Sequence, residues 1–193
     1  MKNVCVYCGS SPGADPVYRA AAQALGQAMA RRGVGLVYGG ASIGVMGAVA
    51  DAVLAAGGRV LGVIPEALAQ REVAHTGLTE LVVTPSMHVR KMRMAEAADA
   101  FVALPGGIGT FEELFEIWTW AQLGIHSKPV ALLNVAGYFD SLIALVDHAV
   151  AQGFLKPAQR ALLWVDTDAE RLLDRFAQAR SLPPADPLRL DQG

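Results

Sequence analysis

Short runs rich in Val, Ile and Leu recur at about residues 3–8, 34–38, 59–64, 80–84, 100–104, 129–133 and 162–165. Longer alanine-rich stretches with helical spacing lie between most of them. Runs that are apolar without alternation read as strands covered on both faces, and strands separated by helices pair in parallel. The pattern predicts an α/β fold: a single doubly wound, Rossmann-like domain with a mostly parallel sheet of about seven strands and helices on both faces. Asp15-Pro16 supplies an N-cap and a first turn for a helix that runs to about Arg32 and ends at Gly33. Pro85-Ser86 and Gly109-Thr110 announce two further helices. The stretch from about Pro65 to Gly77 has no clear period, and loops of that kind at strand ends often carry substrate contacts. Without a repeat or a linker, residues 1–180 read as one domain, and Pro183, Pro184 and Pro187 mark 181–193 as a loose tail.

Bulk properties exclude several functions. A chain of 193 residues that is 53% hydrophobic and 18% charged has the material for one substantial core and does not read as disordered. Its net charge of −2 offers no footprint for a nucleic-acid duplex or an anionic membrane. No apolar run reaches the roughly 18–20 residues that span a bilayer. Met1-Lys2-Asn3-Val4 shows no signal-peptide pattern, so a cytoplasmic location is expected. Cys5 and Cys8 sit in C-V-Y-C within a strand, where extended geometry turns them to opposite faces and favours a structural role over a redox one. His75, His88, His126 and His148 are scattered and make no metal-ligand pattern. Ser10, Ser11 and Ser42 lie in turns but belong to no G-x-S-x-G elbow.

Three strand ends are turns of small residues: Gly9 to Gly13, Gly39 to Gly44 and Pro105 to Thr110. Ligands of doubly wound sheets bind outside the carboxyl ends of strands, and the N–H groups of glycine turns at helix starts attract phosphate. A tight strand-to-helix turn needs glycine in any case, so one such turn would say little. Three on one edge point to a phosphorylated ligand held by Gly9, Ser10, Gly39, Gly40, Gly106, Gly107, Gly109 and Thr110. None of the turns matches the P-loop or a true G-x-G-x-x-G.

Two helices supply candidate chemistry. With Thr110 as the first cap, Thr110 and Glu113 would form a capping box, leaving Glu113 open to reading as a structural cap or as an acid. Helical angles put Phe111, Leu114, Phe115, Trp118 and Gln122 on one face. Glu113 falls nearly opposite, with Ile117, Trp120, Ala121 and Gly124, and this second apolar side reads as a subunit interface with Glu113 at its lip. On the preceding helix, Met87, Arg90, Met94 and Ala97 share a stripe, and an arginine in an apolar stripe needs an anionic partner. Lys91 beside it suits either a surface role or ligand contact. Both helices start at carboxyl ends of consecutive strands, so Arg90 and Glu113 can converge on one pocket.

Met87-His88-Val89-Arg90-Lys91 followed by Leu104-Pro105-Gly106-Gly107-Ile108-Gly109-Thr110-Phe111-Glu112-Glu113 resembles the LOG (Lonely Guy) family. The opening C-V-Y-C-G-S-S, Tyr38-Gly39-Gly40 with Gly44-Val45-Met46-Gly47, and Thr119 to His126 extend the likeness over nearly the whole chain. Members of that family are cytokinin riboside 5′-monophosphate phosphoribohydrolases, long mislabelled as lysine decarboxylases. The resemblance implies hydrolysis of the N-glycosidic bond of a nucleoside 5′-monophosphate, with Arg90 and Glu113 as the catalytic pair and no metal or redox cofactor. It implies substrate binding by Glu72, Met87, Lys91, Gly107, Ile108, Gly109, Thr110 and Thr119, and a homodimer with sites near the interface. Ile108 and Phe111 stand where the family motif often has Tyr and Leu, swaps that bear on base preference. A non-catalytic nucleotide or molybdenum-cofactor carrier on the same fold is the alternative; it would keep the glycine turns without requiring the Arg90–Glu113 pair. Lysine decarboxylase fits poorly, because neither Lys91 nor Lys128 has a Schiff-base context.

Overall fold

The computed structural model of the chain describes residues 1–69 and 74–179, so the expected tail at 181–193 lies outside the described residues. Seven strands form close to the places that the apolar runs mark: β1 (Asn3–Tyr7), β2 (Gly35–Tyr38), β3 (Val60–Pro65), β4 (Glu80–Thr84), β5 (Ala100–Ala103), β6 (Val130–Leu133) and β7 (Leu163–Asp166). They pair in the order β4-β3-β2-β1-β5-β6-β7, parallel at every junction. The chain winds outward from β1 to β4, then returns to place β5 on the other side of β1. That reversal is the topological switch point, where two neighbouring strand ends diverge and leave a crevice.

The helices are α1 (Pro16–Arg31), α2 (Gly44–Ala55), α3 (Glu66–Ala69), α4 (Met87–Ala97), α5 (Ile108–Gln122), α6 (Asp140–Ala151), α7 (Pro157–Arg160) and α8 (Ala169–Ala179), with a 3₁₀ turn over Val135–Gly137. On one face of the sheet, α1, α2 and α8 bury Leu25, Met29, Val49, Val53, Leu172 and Phe176 against Val4, Val6 and Leu36. On the other, α4, α5 and α6 bury Met94, Leu114, Ile117 and Val146 against Cys5, Tyr7 and Phe101. Successive β1 residues thus serve different cores, and Cys5 and Cys8 fall on opposite faces as free, buried thiols. Local chemistry sets the boundaries. The Asp15 carboxylate accepts from Val17 N at 2.9 Å to start α1, and Gly33 ends it with φ +66. The Ser86 hydroxyl accepts from Val89 N at 3.3 Å to start α4. The irregular stretch after β3 folds back on the sheet: His75 N donates to Gly40 O, and Ala41 bridges to Ala74.

Asp166, buried at the end of β7, accepts from Thr167 N, Asp168 N and the side chains of Arg171 and Arg175. Burial alone would raise its pKa; the Arg171 and backbone hydrogen bonds outweigh that and hold it at about 2. A carboxylate depressed in the folded state stabilises above its unfolded pKa and loses that contribution as pH falls through the folded one. Unfolding free energy is therefore expected to drop by about 1–2 kcal/mol between roughly pH 4 and pH 2, the exposed arginines being screened by solvent. Urea titrations of the wild type and Asp166→Asn check this, with the loss over that window smaller in the variant.

Candidate active site

The switch point brings the first and third glycine turns together: Gly9 N donates to Pro105 O at 3.1 Å. Close approach explains most glycines here. A Cβ on Gly44 would stand 2.3 Å from Ser10 O, and one on Gly39 would stand 2.3 Å from Arg90 Nη2. A Cβ on Gly106 would lie 2.1 Å from Thr110 Oγ1 and 2.7 Å from Gly9 N. Gly40 has φ +83. The carbonyls of Gly9 and Ser11 accept from Met46 N and Val45 N, so this turn is engaged with the start of α2. Gly107 and Gly109 differ from all of these. Neither has a positive φ, and a Cβ on either would meet nothing within 4 Å among the described residues. The first turn of α5 thus presents free space beside N–H groups that the helix itself leaves unsatisfied.

Glu113 lies one helical turn beyond Gly109. α5 begins at Ile108 with Gly107 as its N-cap, and no side chain caps it. The expected capping box is therefore corrected: Thr110 is already inside the first turn, with its hydroxyl packed against Gly106. The helix orientation is corrected as well. Thr110, Glu113, Leu114, Ile117 and Trp118 are the buried residues, so the two stripes read from sequence are the two edges of one buried arc centred on Thr110. Glu113 and Ile117 face inward, while Phe115 faces out.

A carboxylate on the inner face needs a cation, and α4 supplies one. Arg90 is 6% exposed and Glu113 9%. Arg90 Nη2 stands 3.4 Å from Glu113 Oε1, longer than the 2.7–2.9 Å or so of a charge-assisted hydrogen bond. Arg90 Nη1 rests 3.7 Å from Met87 Sδ, and Arg90 Nε is buried with no hydrogen-bond partner among the described residues. The guanidinium is enclosed yet has hydrogen-bonding capacity to spare. Three buried titratable side chains near the pair, Cys5, Cys8 and Tyr7, are held in their neutral forms. Burial pushes up Cys5, Cys8 and Tyr7, and the Glu113 carboxylate adds to the rise in all three.

Lys91 is tied to protein acids. It reaches Glu112 at 2.6 Å and Glu116 at 2.9 Å, linking α4 to α5. Burial pulls its pKa down, but these hydrogen bonds outweigh burial and hold the ammonium above the ordinary lysine value. Ile108 is 82% exposed at the rim of the open turn. Thr119 is not brought to the pair: it lies two turns along α5, exposed, with its hydroxyl donating to Phe115 O at 2.6 Å. Glu72 lies outside the described residues.

A family model described as "Possible lysine decarboxylase" matches residues 46–176. The chain is 51% identical over 178 residues to the cytokinin riboside 5′-monophosphate phosphoribohydrolase LOG7 of Arabidopsis thaliana, covering 92% of this chain and 82% of that one. The chain belongs to the LOG family. LOG1 of the same plant, with the same activity in its name, is 48% identical over 176 residues, 91% of this chain and 83% of its own. The Moco carrier protein of Chlamydomonas reinhardtii superposes with a TM-score of 0.70 over 94% of this chain and 98% of that one. At 22% identity that likeness speaks to the fold.

Within this LOG-family site, sequence reasoning passed over Tyr138, whose hydroxyl donates to Gly106 O. Its signal was its place just after the end of β6, on the same sheet edge as the glycine turns. Substitution separates the two kinds of glycine. Gly106→Ala is expected to cost about 1–3 kcal/mol by overpacking. Gly109→Ala, in open space within a helix, is expected to leave stability unchanged or raise it by up to about 1 kcal/mol. Urea unfolding of both variants measures the contrast.

Proposed function

We propose that this chain hydrolyses the N-glycosidic bond of a nucleoside 5′-monophosphate, AMP or an N6-modified adenosine monophosphate, releasing free base and ribose 5-phosphate. The observation that carries the reading is the loosely paired, buried Arg90–Glu113 couple one turn below the open N-terminus of α5. Relatives at about half identity whose names state this activity support it. The N–H groups from Gly107 to Thr110 hold the 5′-phosphate, with Gly9, Ser10, Gly39, Gly40 and Gly106 shaping the turns around it. Four residues of helix separate Gly109 from Glu113, about 6 Å along the axis, on the order of the reach from a 5′-phosphate to the anomeric carbon of the same ribose.

Departure of the base builds positive, oxocarbenium-like charge on the ribose. Glu113 stabilises that charge as a fixed anion, attacks the anomeric carbon, or activates the water that adds there. Arg90 acts by donating hydrogen bonds, through Nε and a loosely held Nη2, that orient the nucleotide and assist the leaving base. Met87 and Ile108 border the base. Lys91, paired with Glu112 and Glu116, is a proposed substrate contact on the family pattern. Glu72 remains a proposed substrate contact on the family pattern. The reaction is assigned to the cytoplasm, where Cys5 and Cys8 stay reduced; no helix among the described residues is long and apolar enough to cross a membrane.

Incubation with AMP and N6-isopentenyl-AMP, followed by chromatography for free base, tests the activity. Glu113→Gln, which keeps shape and removes charge, is expected to lower turnover roughly 10²–10⁴-fold. Full activity in that folded variant would overturn the role given to Glu113. Absence of base release from every monophosphate would favour a carrier of a phosphorylated ligand.

We further propose a homodimer through the outer side of α5. Phe115, Trp118, Leu145, Val146, Phe154 and Leu155 line an apolar groove of about 310 Å³ that includes Thr119. Leu145 is 62% exposed and Phe154 91%. Apolar surface grouped in this way marks an interaction site. A second copy seated there places Thr119 at an interface, although it is remote from Arg90 in its own chain. Leu145→Asp with Phe154→Asp is expected to turn a dimer into a monomer in light scattering; an unchanged mass would relocate the interface.

A further inference from the structure

We propose that Tyr138 is a positioning residue that aims the phosphate-binding N–H of Gly107. The inference rests on the phosphate-cradle reading of the α5 turn. The Tyr138 hydroxyl donates to the carbonyl oxygen of Gly106. That carbonyl shares a planar peptide unit with the N–H of Gly107, and no peptide bond among the described residues is cis. In a trans unit the C=O and the N–H point in opposite directions. Holding the Gly106 carbonyl toward Tyr138 therefore turns the Gly107 N–H the other way. The preceding peptide is held in the same manner, since Pro105 O accepts from Gly9 N at 3.1 Å. Two consecutive carbonyls of the turn are tied back to the protein, leaving the N–H groups of Gly106 and Gly107 directed away from those ties.

The tyrosine itself is pinned. Its ring packs edge-on to Phe139 at 5.0 Å and to Tyr18 at 5.6 Å, and stacks on Phe111 at 6.5 Å. Its backbone N–H donates to Val135 O at 3.0 Å. Asn134 clamps the turn that carries it, accepting from Phe139 N at 2.8 Å and donating to Asp140 at 2.7 Å. Ala136 and Gly137 adopt positive φ in succession, +50 and +72, and bend the chain between β6 and α6 so that Tyr138 reaches across to the α5 turn. Elements from β1, α1, α5 and β6 thus converge on the orientation of one peptide plane.

Tyr138→Phe keeps the ring and removes only the hydroxyl, so a purely packing role predicts no change in binding. Calorimetry on the full chain uses two probes, ribose 5-phosphate and the phosphate-free nucleoside adenosine. The expected result is a Kd for ribose 5-phosphate weakened about three- to tenfold, the usual worth of one hydrogen bond. Adenosine binding is expected to stay within about twofold, as is kcat for AMP, while KM rises in step with the ribose 5-phosphate Kd. Equal ribose 5-phosphate affinity in wild type and variant overturns the proposal, as does equal weakening of both probes. A wild type that binds ribose 5-phosphate but releases no base, with the variant still weakened, upholds Tyr138 and overturns the hydrolase reading. A wild type that does not bind ribose 5-phosphate overturns the phosphate cradle and Tyr138 together.

Discussion

Two charges out of water, Arg90 and Glu113, face each other across 3.4 Å between α4 and α5, and much of the site follows from keeping them there. Desolvating such a pair costs several kcal/mol per ion before their attraction is counted, and a buried pair is weak evidence of a gain in stability. Here Nη2 stands at a loose distance from the carboxylate, and Arg90 Nε has no hydrogen-bond partner among the described residues, so the guanidinium keeps donor capacity in reserve. A ligand that supplies oxygen acceptors engages it. Neighbouring features maintain the arrangement. Gly39 has no Cβ to displace the guanidinium, and Lys91 straps the two helices together through Glu112 and Glu116. Cys5, Tyr7 and Cys8 lie near the pair as neutral groups that do not compete for it.

Strand positions were readable because a central parallel strand has to be apolar on both faces, as Val4 to Tyr7 and Phe101 to Ala103 are. Arg90 was readable for a related reason, since a charge in an apolar stripe advertises a partner. α5 misled on two counts. Its start was assigned to Thr110 because Thr-x-x-Glu imitates a cap, whereas Gly107 fills that role with backbone alone. Its buried face was misplaced because periodicity split one arc into two stripes and gave the side bearing Glu113 to a subunit interface, whereas the cation that Glu113 faces comes from another helix of the same chain. Tyr138 had only its place after β6 to mark it, because what matters about it is a contact across 32 residues to a main-chain oxygen.

The glycine turns show the same division. In sequence, Gly9, Gly39, Gly106, Gly107 and Gly109 look alike. In three dimensions the first three make room for a backbone, a guanidinium and a threonine, and the last two make room for nothing among the described residues. Only the folded structure separates a glycine required by neighbouring protein atoms from one left open to something else.

The central junction of the sheet also governs how the protein comes into being. β1 pairs with β5, and Asn3 N reaches Asp99 across 96 residues of chain. During synthesis the first half can order β1 through β4 while one side of β1 stays uncovered, waiting for a partner that emerges later. An unpaired apolar strand edge is a template for other chains, and pairing over such a separation is slow. The same reversal that opens the crevice on the carboxyl edge makes the newborn chain most vulnerable to aggregation until residue 103 has left the ribosome.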